Sequence, residues 1–373
     1  MLINRKLFPI PHGTSYLDTA AEGLPPLTTE AALSAYWQVK RRGTPGRVQL
    51  YEEQKQAESA AARLLQTDPD NVVLLANSSE ALNLLAHSIE WQPGDEVLIC
   101  DLEFPSNVVV WLQLKRRGVN LIVVPSIGGV VELEDWTSRL SLRTRIVSVS
   151  QVSYKTGTQI PYLQELAAKA HSLGALFCVD ATQALGRVPV SVESVDYLVA
   201  STYKWILGTH GLGITYCSPG LRARFVPGTA GWYSAENLFH AERFETYTPK
   251  STAGQLQAGM PNFPAIYALR PGLECLLGVG VERIDRELRP LVAALRNGLV
   301  EQRHALLTPS EPRFASGIVS FAWRQAEQLG AALAKHGVTV WAGDGRVRMA
   351  IHLYNDEEDV DRCLSAIRLL TLR

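Results

Sequence analysis

The sequence has almost no charge of one sign to spare: 36 Lys and Arg stand against 37 Asp and Glu over 373 residues, a formal net charge of −1. Such a balance offers no field to gather nucleic acid or an anionic membrane, so the expected partner is a small molecule or another protein. No run of about 18 apolar residues is present, which predicts no membrane-spanning helix. The apolar stretch near the start, within Met1 to Gly13, is too short for a signal peptide. Cysteine is scarce, with five residues at 100, 178, 217, 275 and 363, none in a CxxC pair and none clustered at ligand spacing. They are predicted to be reduced and packed in a cytoplasmic protein rather than to form disulfides or a metal site. Internal repeats, low-complexity tracts and long linkers are also missing.

What is present is apolar residue, 46% of the chain, enough for one large core and a smaller one. Helical spacing over Leu27 to Lys40 and Leu50 to Gln66 gives way to short β-rich runs: Val72 to Ala76, Glu96 to Cys100, Leu121 to Pro125, Arg145 to Ser150, Ala175 to Val179, Tyr197 to Ser201 and Gly213 to Tyr216. Helical stretches such as Glu80 to Ile89, Ser106 to Arg117 and Tyr162 to Ser172 lie between them. That alternation predicts an α/β fold, a mainly parallel sheet with helices on both faces. Further on, strands are predicted at Ile318 to Trp323, Val338 to Trp341 and Val347 to Leu353, with a last helix over Glu357 to Leu370. The expected division is a large domain over 14–262 and a small α+β domain over 263–373, with 1–13 packing on the latter.

The chemistry concentrates in Cys178-Val-Asp180-Ala-Thr-Gln183 and Ser201-Thr-Tyr203-Lys204-Trp-Ile-Leu-Gly208. A carboxylate at the carboxyl end of a buried strand is costly unless a cation meets it, and a protonated pyridine nitrogen would do so. Lys204 falls just beyond the next strand, at the sheet edge where open α/β folds hold ligands, and a partly desolvated amine there can attack a carbonyl. A simpler reading makes Asp180 a turn cap and Lys204 a solvated loop residue; the two with their neighbours favour the first. Ala76-Asn77-Ser78-Ser79-Glu80 sits where a strand passes into a helix, suited to capping and also to receiving a phosphate.

From Tyr16-Leu-Asp-Thr-Ala-Ala-Glu-Gly to Arg348-Met-Ala-Ile-His-Leu-Tyr354-Asn355, the motifs and their order resemble the class-V aminotransferase branch of the fold-type I pyridoxal-phosphate enzymes, a group containing cysteine desulfurases, kynureninase and isopenicillin N epimerase-like proteins. The resemblance implies a seven-stranded sheet and a homodimer with its sites at the interface. It assigns Lys204 to the lysine bonded to pyridoxal phosphate as a Schiff base, Asp180 to the partner of the pyridine nitrogen and Gln183 to the donor facing the phenolic oxygen. Ser78, Ser79, Ser201 and Tyr203 match the phosphate cup, where the family often has histidine in place of the tyrosine. Phe104 falls where a ring stacks on the cofactor, in a phenylalanine-proline form closer to kynureninase. Arg348 matches the arginine that grips the substrate carboxylate by a bidentate fork, with Arg346 beside it. Trp232 resembles an aromatic near the cofactor.

The pattern departs from the desulfurases in three places. Their nucleophilic cysteine shortly before the carboxylate arginine has no counterpart in Val340-Trp-Ala-Gly-Asp-Gly-Arg-Val-Arg348, and Cys363 sits later on a helical period. Met260 replaces a threonine that reaches the neighbouring subunit's phosphate, and Tyr154 stands where those enzymes carry asparagine beside the substrate. The resemblance thus implies an enzyme on an α-amino-acid substrate with Lys204 taking the α-proton: an aminotransferase first, a C–S β-lyase next, then an epimerase or racemase. A cofactor-binding scaffold without turnover is the non-enzyme alternative, and an intact Lys204, Asp180 and Arg348 set argues against it. Gly208-Thr-His-Gly-Leu-Gly213 lacks the strand-first placement of a nicotinamide fingerprint.

Overall fold

A computed structural model of the chain describes residues 2–371. Its strands are β1 (Ser15–Tyr16), β2 (Val72–Leu75), β3 (Glu96–Cys100), β4 (Asn120–Val124), β5 (Thr144–Ser150), β6 (Leu176–Asp180), β7 (Tyr197–Ser201), β8 (Gly213–Cys217), β9 (Ile318–Ala322), β10 (Val338–Thr339), β11 (Trp341–Gly343) and β12 (Arg346–Ala350). Seven form the main sheet in the order β2-β8-β7-β6-β5-β3-β4. The pairs from β7 to β4 run parallel, while β8 is antiparallel to both β2 and β7. The α/β architecture expected from the alternating pattern is therefore the one observed.

The central strands read as continuous apolar runs because both faces are covered. Alternate residues belong to different packing clusters: Val72, Leu74, Leu98, Val147 and Val179 point into one, Val73, Leu75, Val97, Ile99 and Cys178 into the other. The first cluster continues without a break into Val319, Phe321, Val347 and Met349 of a second, three-stranded antiparallel sheet, β11-β12-β9. Helix Val281–Glu301 covers that sheet with Ile284, Leu288, Val292, Leu295 and Leu299, a spacing of three and four that keeps one face apolar.

One expected strand divides. Val338 and Thr339 pair in parallel with Ser15 and Tyr16, whereas Trp341 to Gly343 turn back on β12 through Asp344 and Gly345, both at positive φ, 48° and 69°. The run Val338 to Trp341 thus serves two sheets, a tertiary choice that its apolar pattern does not encode. Fully buried Arg187 locks the end of β12 to the main sheet, donating to the Ile351 carbonyl (2.9 Å) and to Asp285 (3.1 Å).

Candidate active site

At the carboxyl ends of the parallel strands lies a cleft partly open to solvent, where open α/β sheets hold ligands. Ser78, Ser79, Phe104, Tyr154, Asp180, Gln183, Ser201, Tyr203 and Lys204 all line it. Each arrives from a strand end or the turn behind it. Asp180 is the last residue of β6 and Ser201 of β7; Ser78 and Ser79 open helix Ser78–His87 directly after β2.

Lys204 rides on a tight turn after β7. The Leu207 amide donates to the Lys204 carbonyl and the Gly208 amide to that of Thr202, with Leu207 held at φ 60°, a strained setting for a branched side chain. Two outside segments fix this turn: Gly23 donates its N–H to the Tyr203 carbonyl (2.8 Å), and the His352 ring meets the Trp205 carbonyl (2.9 Å). Burial, assisted by the Arg348 charge, lowers the Lys204 amine to about 8. Its Nζ lies 5.2 Å from the centre of the Phe104 ring, which meets Tyr154 edge-on at 5.0 Å.

Asp180 is buried and its carboxylate accepts the Thr182 amide proton at 2.9 Å. Burial raises its proton affinity, and among the described residues no basic nitrogen lies within ion-pair distance. A buried carboxylate so placed suits a cationic ring nitrogen. Gln183 gives one N–H to the Ala20 carbonyl (2.9 Å) and accepts from the Trp205 indole (2.7 Å), which leaves its second N–H for the cleft. Ser78 and Ser201 share a hydroxyl hydrogen bond of 2.8 Å at the helix start, whose Asn77 side chain caps the Glu80 amide. A Cβ on Gly213 would sit 3.0 Å from the Asn77 carbonyl carbon, so any side chain there would press on this turn as β8 passes beneath it. Hydroxyls at a helix N-terminus fit a phosphate, and the whole set fits pyridoxal phosphate: an anion cradle at one end, a buried acid at the other, an amine between. No group of three or more metal-ligating side chains occurs among the described residues.

Arg348 does not line the cleft floor but stands over it from β12, donating to the Tyr154 carbonyl at 2.9 Å and lying 3.7 Å from Asp18. Trp232 is not brought to the cleft: it is half exposed on a turn, its ring against Tyr233. Met260 lines a separate apolar recess with Leu74, Leu84 and Pro261.

Two residues escaped the sequence reading. Asp18 follows β1, and burial raises it to about 6 although Arg348 opposes the shift. The quoted Tyr16-Leu-Asp motif contained it, but only the fold reveals its cation. Glu103 is buried beneath the cleft, accepting from the Ser150 amide (2.9 Å) and Asn107 (2.7 Å), and burial raises it to about 7. Its only signal was a spacing of four from Asn107.

Comparison with known proteins places this geometry. The aminotransferase class-V family matches residues 15–363. A probable cysteine desulfurase of Methanothermobacter thermautotrophicus is 26% identical over 95% of this chain and 94% of its own length. An uncharacterized aminotransferase of Bacillus subtilis, YcbU, is 26% identical over 99% and 97%. Among solved structures, the apo cysteine desulfurase of Thermococcus onnurineus superposes with a TM-score of 0.90 at 25% identity, covering 99% of this chain and 97% of that one. A match that begins at β1 and ends in the last helix takes in all three sheets and every residue of the cleft: the chain belongs to the class-V aminotransferase family of pyridoxal-phosphate-dependent enzymes.

Proposed function

We propose that the enzyme breaks the Cα–H bond of an α-amino acid and that the outcome is amino transfer. One observation carries the reading. A buried amine of lowered proton affinity, Lys204, and a buried guanidinium, Arg348, share one site, and no cysteine lines it.

Bound pyridoxal phosphate supplies an aldehyde for the amino group and a ring that accepts the electrons left at Cα. Lys204 would hold the cofactor, and its Nζ, with lowered proton affinity, would take the Cα proton of the substrate. Asp180 would keep the ring nitrogen protonated; Ser78, Ser79, Ser201 and Tyr203 would hold the phosphate, Gln183 would offer its spare N–H to the ring oxygen, and Phe104 would pack on the ring. Arg348 grips the α-carboxylate by its fork, which fixes which Cα bond faces Lys204. Tyr154 flanks the substrate side chain. As substrate carboxylate competes with Asp18 for Arg348, an Asp18 with raised proton affinity eases the exchange.

The missing thiol weighs against persulfide chemistry. Cys100, Cys178, Cys217 and Cys363 are buried with raised proton affinity, chiefly through burial, and no cysteine lies in 340–348. C–S β-elimination needs no protein thiol and is the second reading, favoured by relatives named as cysteine desulfurases. A homodimer is also proposed; the apolar recess around Met260 and Leu84 beside the cleft supports it. The holoenzyme is incubated with amino acids with and without 2-oxo acids, and new amino acids, pyruvate and sulfide are measured. Amino acid formed only when a 2-oxo acid is present supports amino transfer. Pyruvate and sulfide released from cysteine without any 2-oxo acid rejects it in favour of elimination.

A further inference from the structure

Arg346 is the more unusual of the two arginines of β12. It is 3% exposed, yet its Nε and Nη2 have no hydrogen-bond partner, and its nearest carboxylate, Asp344, is 3.4 Å from Nη1 and 73% exposed. Two residues apart on one strand, Arg346 and Arg348 face the same side. Trp341 lies opposite Arg348 on β11 and Ser320 opposite it on β9. The Trp341 ring meets both guanidinium groups, at 4.5 and 5.1 Å, and Tyr154 covers Arg346 at 5.4 Å. Rings hold the flat face of a guanidinium and leave its edge donors free. The Nε of Arg348 and the Ser320 hydroxyl are also buried without partners.

This face therefore carries two buried guanidinium charges against one partly buried carboxylate, Asp18, and four donor atoms without acceptors. A buried charge left unpaired is costly, and these free donors are placed to receive an anion. The face adjoins the cleft through Tyr154, whose ring touches both Arg346 and Phe104.

We infer that Arg346 sets substrate choice: the amino acid taken by this enzyme carries a second acidic group, a carboxylate or sulfinate, which Arg346 receives between Trp341 and Tyr154. The inference rests on the proposed function, in which Arg348 holds the α-carboxylate and leaves Arg346 for the distal anion.

The test titrates the holoenzyme with L-aspartate, L-glutamate and L-cysteine sulfinate against L-alanine, following cofactor absorbance. Succinate is compared with butyrate by calorimetry, a pair that has no amino group. The expected Kd ratio favours the diacid by about 10- to 100-fold, the range for a charge-assisted fork. It should fall towards one in Arg346→Gln and survive in part in Arg346→Lys, which keeps the charge and guards against a misfolded variant. Equal binding of acidic and neutral ligands by the parent, or a ratio unmoved by Arg346→Gln, overturns the inference and leaves the proposed function standing. A succinate preference that depends on Arg346, while no amino acid changes the cofactor spectrum, overturns the proposed function and with it the assignment of the second anion to an amino-acid substrate.

Discussion

Gly23 has no side chain and touches no substrate, yet replacing it with alanine is expected to damage the site. A Cβ built there would lie 1.8 Å from the Lys204 carbonyl oxygen and 2.8 Å from its carbon, with Leu207 Cδ2 at 3.3 Å. Ordinary contact begins at 3.4 Å, so the two backbones must part by about 1.6 Å. Neither partner is a flexible side-chain tip, and the 2.8 Å hydrogen bond from Gly23 to Tyr203 would stretch past its limit. Overpacking of this kind costs about 1–3 kcal/mol, and the lost hydrogen bond about 1 kcal/mol more. The melting temperature should drop by several degrees, since each kcal/mol shifts a large domain by about 2–4 °C or less. Displacing the reactive lysine on the ångström scale should lower turnover by about 100-fold and weaken cofactor retention. Scanning calorimetry, absorbance of the bound cofactor and steady-state rates would report all three. A Gly23→Ala protein that melts, holds cofactor and turns over like its parent would refute the close approach and the positioning argued from it.

Three further outcomes follow from the charges of the site. With Lys204 lowered to about 8, the amine of the apoprotein is neutral in about a tenth of molecules at pH 7, against about one in 3,000 for an ordinary lysine. Capture of pyridoxal phosphate should therefore rise through a midpoint near pH 8 and level off, and borohydride should fix the label at residue 204; a rate still climbing at pH 10, or a label elsewhere, contradicts this. Between pH 8 and the ordinary 10.5 the unfolded chain binds the extra proton, so apoprotein stability should increase over that window, with the penalty complete below pH 8. For Arg348→Met, KM for the amino acid should rise about 10- to 100-fold with a smaller change in kcat, and a loss confined to kcat would remove Arg348 from substrate binding.

The main sheet was legible because its strands are buried on both faces: Glu96–Cys100 and Tyr197–Ser201 appear with the bounds that their apolar runs suggest. The nine predicted residues lining the cleft were legible for a different reason, since each sits where a strand run stops and a polar motif begins. What pattern could not supply was pairing between distant segments. Nothing local tells Val338 to adopt Ser15 as its neighbour, or Asp18 to find Arg348. Trp232 stands apart from these: within its own chain its ring lies against Tyr233 and away from the cleft.

The segment from Ser15 to Gly23 is only nine residues long. At its first end it pairs with β10 through Ser15–Val338 and with β12 through Asp18–Ala350; further on Ala20 accepts from Gln183 behind β6, and Gly23 donates to Tyr203 in the lysine turn. It works as a gauge bar: together with the Arg187 and His352 contacts, a short length of covalent chain sets the span from the guanidinium of β12 to the amine after β7. Insertions or deletions within these nine residues should therefore retune which substrate length fits, much as moving one jaw of a caliper changes what it accepts.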